Sequence, residues 1–448
     1  MRIPKTPPTK DISEVINDLG IEEFGRHLQT IKPVDGRGRY LHWDEIRFRP
    51  IPSGLTVEQY WTILEWVRQA SQTNLPFRDK SGNAFWYCET NPQKRQLHLI
   101  DSQLKGAFAT KSLGASKDEA KLSLQRSLIE EPFSSSVLEG AATTRARARE
   151  LVAKGLPPRT RDERMVLNNF RALEFVKSLR KEPLTPEIIL EIQRIVTTDT
   201  LDKSDHEGRW RTEKDIVEVV DNATGDILHY PPPAREITER IGRLCNFANA
   251  TESDDEFFHP MIRAILLHFQ LAYIHPFADG NGRTARALFY WSALNSDYWL
   301  LEYVSISSVI NRAPVKYGEA FLKTETGPPD VTYFIDHQLQ VLVDAISELQ
   351  SYLDRQKSRL ENFDELIRGQ HKQLGLNLRQ TGLLNDLVRK SRDSVTLNGY
   401  QKIFDVSYIT ARNDLEALTQ NGFLRKSKDG RTSIYALNER AVVGLLED

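Results

Sequence analysis

Apolar residues recur three and four positions apart along much of the chain, and this spacing predicts helices. From Pro260 onward, Ile262, Ile265, Leu266, Phe269, Ala272 and Tyr273 share one helical face. Pro260 suits a first helical position. Pro276 disfavours helical geometry at His275, so the helix is predicted to end there. A second helix is predicted from Gly282, with Ala285, Leu288, Phe289 and Ser292 facing inward. The stretch Thr56 to Val67 reads as a capped amphipathic helix. Ile335, Leu339, Leu342, Ile346, Leu349, Leu353 and Leu360 follow heptad-like spacing and predict a long helix leaving the core. That helix packs on its own domain, connects two domains, or pairs in a homodimer. Two β-rich runs, 216–220 and 227–230, flank a polar turn and predict a hairpin. Pro231, Pro232 and Pro233 stop it. Near the C-terminus, helices are predicted over 378–391, 397–404 and 407–418, the last ended by Asn421-Gly422. Residues 423–427 and 432–437 flank Lys428-Asp429-Gly430-Arg431 as a hairpin.

Composition narrows the picture a little. A chain of 448 residues has room for two to four domains. The net charge of -2 makes no global case for nucleic acid or membrane partners. Hydrophobic and aromatic contents of 40% and 9% fit an ordinary globular protein. Cys88 and Cys245 are few and far apart, which suggests a reducing compartment and no metal cluster. The first residues lack an apolar signal core, and no long uncharged apolar stretch supports a membrane span. The expectation is a cytoplasmic protein with no membrane partner.

The chemistry is concentrated between the two central helices, in His275-Pro276-Phe277-Ala278-Asp279-Gly280-Asn281-Gly282-Arg283-Thr284-Ala285-Arg286. Gly280 and Gly282 permit unusual backbone angles and close approach of a ligand. A glycine-rich loop feeding a helix N-terminus points amides at an anion and adds the helix dipole. No Walker lysine is present. His275 titrates near neutral pH and suits proton transfer. Asp279 is a hard oxygen ligand for Mg²⁺ already bridging phosphates. Arg283 and Arg286 offer bidentate geometry to phosphate oxygens. His268 and His275 lie seven apart with no acidic or cysteine ligand at metal spacing, which disfavours zinc. His268 reads as a core-facing residue.

These twelve residues match His-x-Phe-x-Asp/Glu-Gly-Asn-Gly-Arg-x-x-Arg at every defined position, and by them the chain resembles the Fic family. The resemblance implies transfer of AMP from ATP to a protein hydroxyl. In that reading His275 takes the hydroxyl proton and Asp279 holds Mg²⁺. Asn281 and the amides of Gly280, Asn281 and Gly282 cradle the α-phosphate, while Arg283 and Arg286 neutralise the outer phosphates. The phosphate-transferring branch of the family carries lysine where Gly282 stands, so glycine favours AMP transfer. Ser135-Ser136-Val137-Leu138-Glu139-Gly140 matches the family's inhibitory pattern Ser/Thr-x-x-x-Glu-Gly/Asn. It implies that Ser135 and Glu139 restrain the enzyme, with Glu139 pairing to Arg286. The predicted hairpin resembles the family's flap, whose open edge aligns a target by main-chain hydrogen bonds. Its target-binding residues are expected to be Ile216, Val217, Val219 and Tyr230. Tyr317 stands at a nucleotide-side position. Gly318 replaces a second tyrosine and Glu325 an asparagine of some relatives, which leaves the adenine pocket open.

The expected fold is therefore mainly α: a Fic helical core with a β-hairpin flap, plus a C-terminal winged helix-turn-helix. Residues 1–115 are read as an N-terminal domain without assigned role, and 116–330 as the catalytic core. Within the core the inhibitory helix is expected at about 125–142 and the flap at about 214–231. Residues 331–372 form a connecting helix and 373–448 the winged domain. If that domain binds DNA, Tyr408, Thr410 and Arg412 face the groove and Arg431 meets phosphate. Its mixed charge leaves DNA and protein partners equally open. The expected function is an autoinhibited protein adenylyltransferase using ATP and Mg²⁺ on a Ser, Thr or Tyr hydroxyl of a protein target or of itself. Two alternatives stand beside it: removal of AMP at the same site, with Glu139 positioning a water, and a nucleotide-sensing DNA-binding regulator.

Overall fold

The computed structural model describes residues 2–105, 125–221, 224–250, 257–370, 375–388, 394–429 and 432–438. Two compact units emerge, one from residues up to 105 together with 126–347, the other from 348–438.

Side-chain caps set where the helices of the first unit begin. After α1 (Ile12–Leu19), α2 (Ile21–Thr30) and the short α3 (Trp43–Ile46), helix α4 (Val57–Gln69) opens on a reciprocal Thr56–Gln59 capping box. The antiparallel pair β1 (Gln72–Arg78) and β2 (Ala84–Cys88) follows. Helix α5 (Asn91–Leu104) repeats the capping box with Thr90 and Gln93. Then come α6 (Glu130–Leu138), α7 (Arg145–Ala153), α8 (Arg161–Ser178) and α9 (Pro186–Thr197). Thr144, Thr160 and Thr185 cap the last three. A small hairpin, β3 (Val219–Val220) and β4 (Ile227–His229), precedes α10 (Ile237–Asn249), α11 (Pro260–Ile274) and α12 (Asn281–Asn295). The unit closes with α13 (Ile306–Ile310), α14 (Pro314–Glu325) and the first half of α15 (Thr332–Gln370).

Helices α11 and α12 pack against each other at the centre, with α6, α8 and α9 around α12. Ile265, Leu266, Leu267, Phe269 and Leu271 of α11 are fully buried, the mark of a helix enclosed on all sides.

The N-terminal segment is built into this unit, where the sequence set residues 1–115 apart. Trp86 exchanges backbone hydrogen bonds with Pro329 and Val331 (3.1 and 2.8 Å). The Tyr40 hydroxyl donates to buried Asp330 at 2.7 Å, and Arg68 donates to Tyr333 at 3.2 Å. Phe85 of β2 sits edge-on to Phe269 and Tyr273 of α11. His42 packs buried against Trp61, and Trp43 lies half-buried against the same ring.

The long helix is present as expected. Ile335, Leu339, Leu342, Ile346, Leu349 and Leu353 are all buried within the single chain, so they do not form an open dimer seam. The side chain of Leu360 lies outside the described residues. No described helix is long and apolar enough to cross a membrane.

In the second unit, α16 (Leu378–Val388), α17 (Leu397–Phe404) and α18 (Tyr408–Gln420) pack with β5 (Ser394–Thr396), β6 (Leu424–Asp429) and β7 (Thr432–Leu437). The sheet is antiparallel in the order β5-β7-β6. Its core is Leu383, Leu384, Leu387, Tyr400, Leu415 and Leu418. Buried Asp414 is satisfied by Tyr400, Arg379 and Asn377 (3.0, 2.9 and 2.7 Å).

Candidate active site

Helix α11 ends where Pro276 requires it to, and His275 takes a left-handed conformation with φ 49°. A non-glycine residue held there costs of order 1–3 kcal/mol, so the surroundings must enforce it. The enforcing residue is Arg211, buried on the segment before the hairpin. Its side chain donates to the carbonyls of His275, Pro232 and Ile274 (2.7, 2.5 and 3.3 Å), and its amide donates to Pro276 (2.8 Å). Trp210 beside it stacks on Phe277 with ring centres 4.9 Å apart.

The loop is pinned from its other side by α9. Gln193 donates to the Asp279 carbonyl at 3.1 Å and accepts from the Gly208 amide at 2.6 Å. Asn281 accepts from the Phe277 amide (3.0 Å) and donates to the Phe277 carbonyl (2.8 Å). Its side chain therefore closes the loop, while its amide stands at the start of α12. Gly280 is indispensable here. Its φ is 83°, and a Cβ would lie 2.7 Å from Thr197. The loop then enters α12 with no side chain capping the helix. The first amides of α12 are thus directed, with the positive end of the dipole, at whatever occupies the loop.

A Cβ on Gly282 would fall 2.2 Å from Glu139 Oε1, which places that oxygen against the first turn of α12. Arg286, 2% exposed, donates to Glu139 Oε1 at 2.8 Å, to Ser135 Oγ at 2.9 Å and to the Ser135 carbonyl at 3.2 Å. Burial works against ionisation of Glu139, but Arg286 and then Arg283 outweigh it and hold its carboxyl below the usual value. Helix α6, which carries both residues, is anchored by Glu131. That buried carboxylate accepts from Ser305 and from the amide and hydroxyl of Ser307 (2.8, 3.0 and 2.6 Å). The regular helix spans Glu130–Leu138 after a 3₁₀ turn, shorter than the expected 125–142, because Gly140 at φ 91° ends it.

His275 has the surroundings of a base. Nδ1 faces the Ala272 carbonyl at 3.1 Å and must carry the proton, which leaves the Nε2 lone pair to accept. Burial pushes the imidazole down to about 4, so it is neutral at ordinary pH. Arg283 donates to the Val196 carbonyl (2.8 Å) and lies 3.4 Å from Asp279. Asp279 has one carboxylate oxygen on the Gly280 amide and a side chain 45% exposed, so its other oxygen can face a cation. Among the described residues no three His, Cys, Asp or Glu side chains converge as a metal cage. Tyr317 does not stand free. Its hydroxyl meets buried His268 at 2.9 Å, and its ring packs on Phe321 and Phe334.

The hairpin is smaller than expected. It pairs Val219 with His229 and Val220 with Ile227. Ile216 and Val217 precede the strand, Ile216 being 90% exposed, because a two-stranded ribbon lacking a third strand has little apolar surface to bury. Tyr230, just past β4, is 53% exposed. His229 is held between Glu325 (2.7 Å) and the Tyr273 carbonyl (2.8 Å), which ties β4 to α14 and α11.

In the second unit Tyr408 and Ile409 are exposed, the Thr410 amide and hydroxyl engage Ser407, and Arg412 is paired with Glu416 at 2.9 Å. Arg431 lies outside the described residues.

Arg211, Gln193 and Glu131 were not singled out by sequence. A weak signal existed for Gln193, a polar residue within the buried face formed by Ile189, Ile192 and Val196.

Residues 183–293 match the Fic/DOC family. The chain is 30% identical over 201 residues to a protein adenylyltransferase Fic of Nematostella vectensis, covering 44% of this chain and 43% of that protein. It is 26% identical over 202 residues to the protein adenylyltransferase Fic of Drosophila ananassae, covering 44% and 37%. The chain thus matches less than half the length of these relatives. A solved Fic family protein from Desulfovibrio desulfuricans shares the fold, with a TM-score of 0.51 at 19% identity, over 78% of this chain and 97% of that one. The chain therefore carries a Fic domain. Glu139 and Tyr317 fall outside the matched segment.

Proposed function

We propose that the chain is an autoinhibited protein adenylyltransferase that transfers AMP from ATP to a hydroxyl of a protein target, itself included. The observation that carries this reading is one group of contacts: Glu139 lies against the first turn of α12 and binds Arg286, beside a neutral His275 whose Nε2 is free.

The target hydroxyl loses its proton to His275 Nε2, its oxygen bonds to the α-phosphorus, and the bond to pyrophosphate breaks. The amides of Asn281, Gly282 and Arg283 offset charge on the phosphates, since preformed dipoles in a dry site stabilise developing charge without reorganising. Arg286 is placed for the outermost phosphate. The exposed oxygen of Asp279 fits Mg²⁺ arriving with the nucleotide, and the ion would supply charge neutralisation between phosphates. While Glu139 holds Arg286 it blocks that phosphate position by charge and by volume, so ATP is shifted from its productive pose. A coupling of about 1–3 kcal/mol corresponds to roughly 5–150-fold restraint. The β3–β4 hairpin presents the target segment. The second unit is a winged helix-turn-helix that serves in recognition.

The test uses labelled ATP with Mg²⁺ on wild type, Glu139→Gly and His275→Ala. AMP-sized label is expected to be weak on wild type, raised at least several-fold on Glu139→Gly, and absent on His275→Ala. Equal labelling of wild type and Glu139→Gly, both folded, would remove the inhibitory role. One feature also favours AMP removal at this site: Glu139 stays ionised near His275, where it can orient a water. Release of AMP from a pre-modified protein by wild type, lost in Glu139→Gly, distinguishes that activity.

A further inference from the structure

His229 is the last residue of β4, 8% exposed, and its ring meets two different helices. Nδ1 lies 2.7 Å from a carboxylate oxygen of Glu325, the last residue of α14. Nε2 lies 2.8 Å from the Tyr273 carbonyl in the last turn of α11. A carbonyl only accepts hydrogen bonds, and so does an ionised carboxylate. A neutral imidazole has one N–H and can serve only one of them. The two contacts together therefore hold one proton more than a neutral ring and a carboxylate contain. That proton belongs on the ring, since imidazole is the stronger base of the two. The surroundings favour the cation. Tyr273 stands at the C-terminal end of α11 and Glu325 at that of α14, where the helix dipoles are negative.

The contact also completes the end of α11. The carbonyls of a helix's last turn find no partner within it. Here the Leu271 carbonyl accepts from the His275 amide, and the Ala272 carbonyl faces His275 Nδ1. The Arg211 guanidinium takes the carbonyls of Ile274 and His275, and its amide takes that of Pro276. Tyr273 is left, and His229 supplies its donor. The ring thus joins the exit of the hairpin to the backbone two residues before the base. Other charged and titratable groups face it from the packed elements. Arg211 occupies the next carbonyl, and His275 feels the charge of His229. The Tyr273 hydroxyl accepts from the Lys80 amide at 2.9 Å, with Asp79 and Arg240 acting on it from that side. The Lys80 ammonium lies over the ring of Tyr230.

Resting on the adenylyltransferase reading, we propose that His229 is a positioning residue for transfer: as an imidazolium it fixes the hairpin that presents the target to the end of the helix that carries the base. Removal of its second proton leaves either Glu325 or the Tyr273 carbonyl without a donor, and the hairpin is released from α14 or α11. The target hydroxyl then loses its register on His275 Nε2, while the phosphate site keeps its amides and arginines.

Histidine-selective ¹⁵N labelling of the full chain reads the ring directly, with His229→Gln identifying its signals. Both ring nitrogens of His229 are expected to carry a proton at neutral pH in the wild type. In Glu325→Gln only Nε2 should, because the new amide donates to Nδ1 and no extra proton is needed. A wild-type ring with a single N–H overturns the proposal. Self-labelling with AMP is then followed in the Glu139→Gly background. His229→Gln should lower the rate at saturating ATP about 10-fold, with the KM for ATP changed less than about 2-fold. The rate should fall as rising pH removes the second proton, and adding Glu325→Gln should abolish that fall. A fall that persists in Glu325→Gln, or a His229→Gln effect confined to the KM for ATP, overturns the positioning role. If Glu139→Gly labels nothing while the ring carries both protons, the transferase reading fails and the His229 clamp stands.

Discussion

Arg211 illustrates how one residue can control a site it does not touch chemically. Its guanidinium joins three carbonyls around the left-handed His275, and among the described residues no carboxylate shares that task. Arg211→Ala leaves those carbonyls unpaired and frees His275 to leave its strained geometry. A loss of about 3 kcal/mol of stability and a fall in kcat larger than any change in KM for ATP are expected. Urea unfolding and steady-state kinetics in the Glu139→Gly background check both. A change confined to KM would show that Arg211 shapes binding and not the base. The histidines add a pH prediction. Burial lowers both His275 and His42 from 6.5 to about 4. A group whose folded pKa lies below its unfolded one contributes stability that is complete above about 6.5 and is lost as pH falls toward about 4. Melting temperature should drop across that window, less steeply in His275→Gln. For the same reason, the acid limb of the rate profile should lie below 6.5.

Element α6 is both the carrier of the restraint and a removable part. It is anchored at its start by Glu131 and at its middle by Asn311, which donates to the Ser134 carbonyl at 2.7 Å. Asn169 adds a bond to Ser136 at 2.8 Å. These polar anchors, unlike apolar packing, can be exchanged for water when the helix moves. Ser307→Ala removes one of them and leaves a buried carboxylate oxygen without a partner, a change of about 1–3 kcal/mol. Auto-labelling is expected to rise several-fold with His275, Asp279 and Arg286 untouched. A lower melting temperature with unchanged labelling would mean that α6 stays seated and that release lies elsewhere.

At the scale of the molecule, the N-terminal segment is a structural half of the first unit. Phe85 covers α11, and Asp330 and Tyr333 depend on Tyr40 and Arg68 for their partners. Burial raises the Asp330 carboxyl above its ordinary value even with Tyr40 and Thr332 bonded to it. A chain beginning at residue 116 should therefore melt without cooperativity or aggregate. Circular dichroism melting and gel filtration decide this. A truncated chain melting as the full chain does would make the segment an appendage after all. In the second unit the core closes on itself around Tyr400 and Leu415, and Arg412 is already paired. Phosphate binding there would have to break that pair, which weakens the contact, and any affinity for duplex DNA should fall with salt because phosphate contacts release counterions.

What the sequence determined by itself was local. Pro276 ended α11, threonine caps began α7, α8 and α9, and the His275-to-Arg286 run announced its chemistry, because caps, turns and loop amides depend on neighbours a few positions away. The Ser-x-x-x-Glu pattern suggested a partner for Arg286, but only the tertiary structure could carry Glu139 across 147 positions to within 2.8 Å of it. The tertiary structure also turned Asn281 inward onto Phe277 and shortened the hairpin. It recruited Arg211 and Gln193 to hold the loop, and it joined residues 2–105 to the core. Each of these is a contact between distant segments. Which distant groups meet is set by how whole helices pack and which buried polar atoms then need partners, and no periodicity along the chain encodes that.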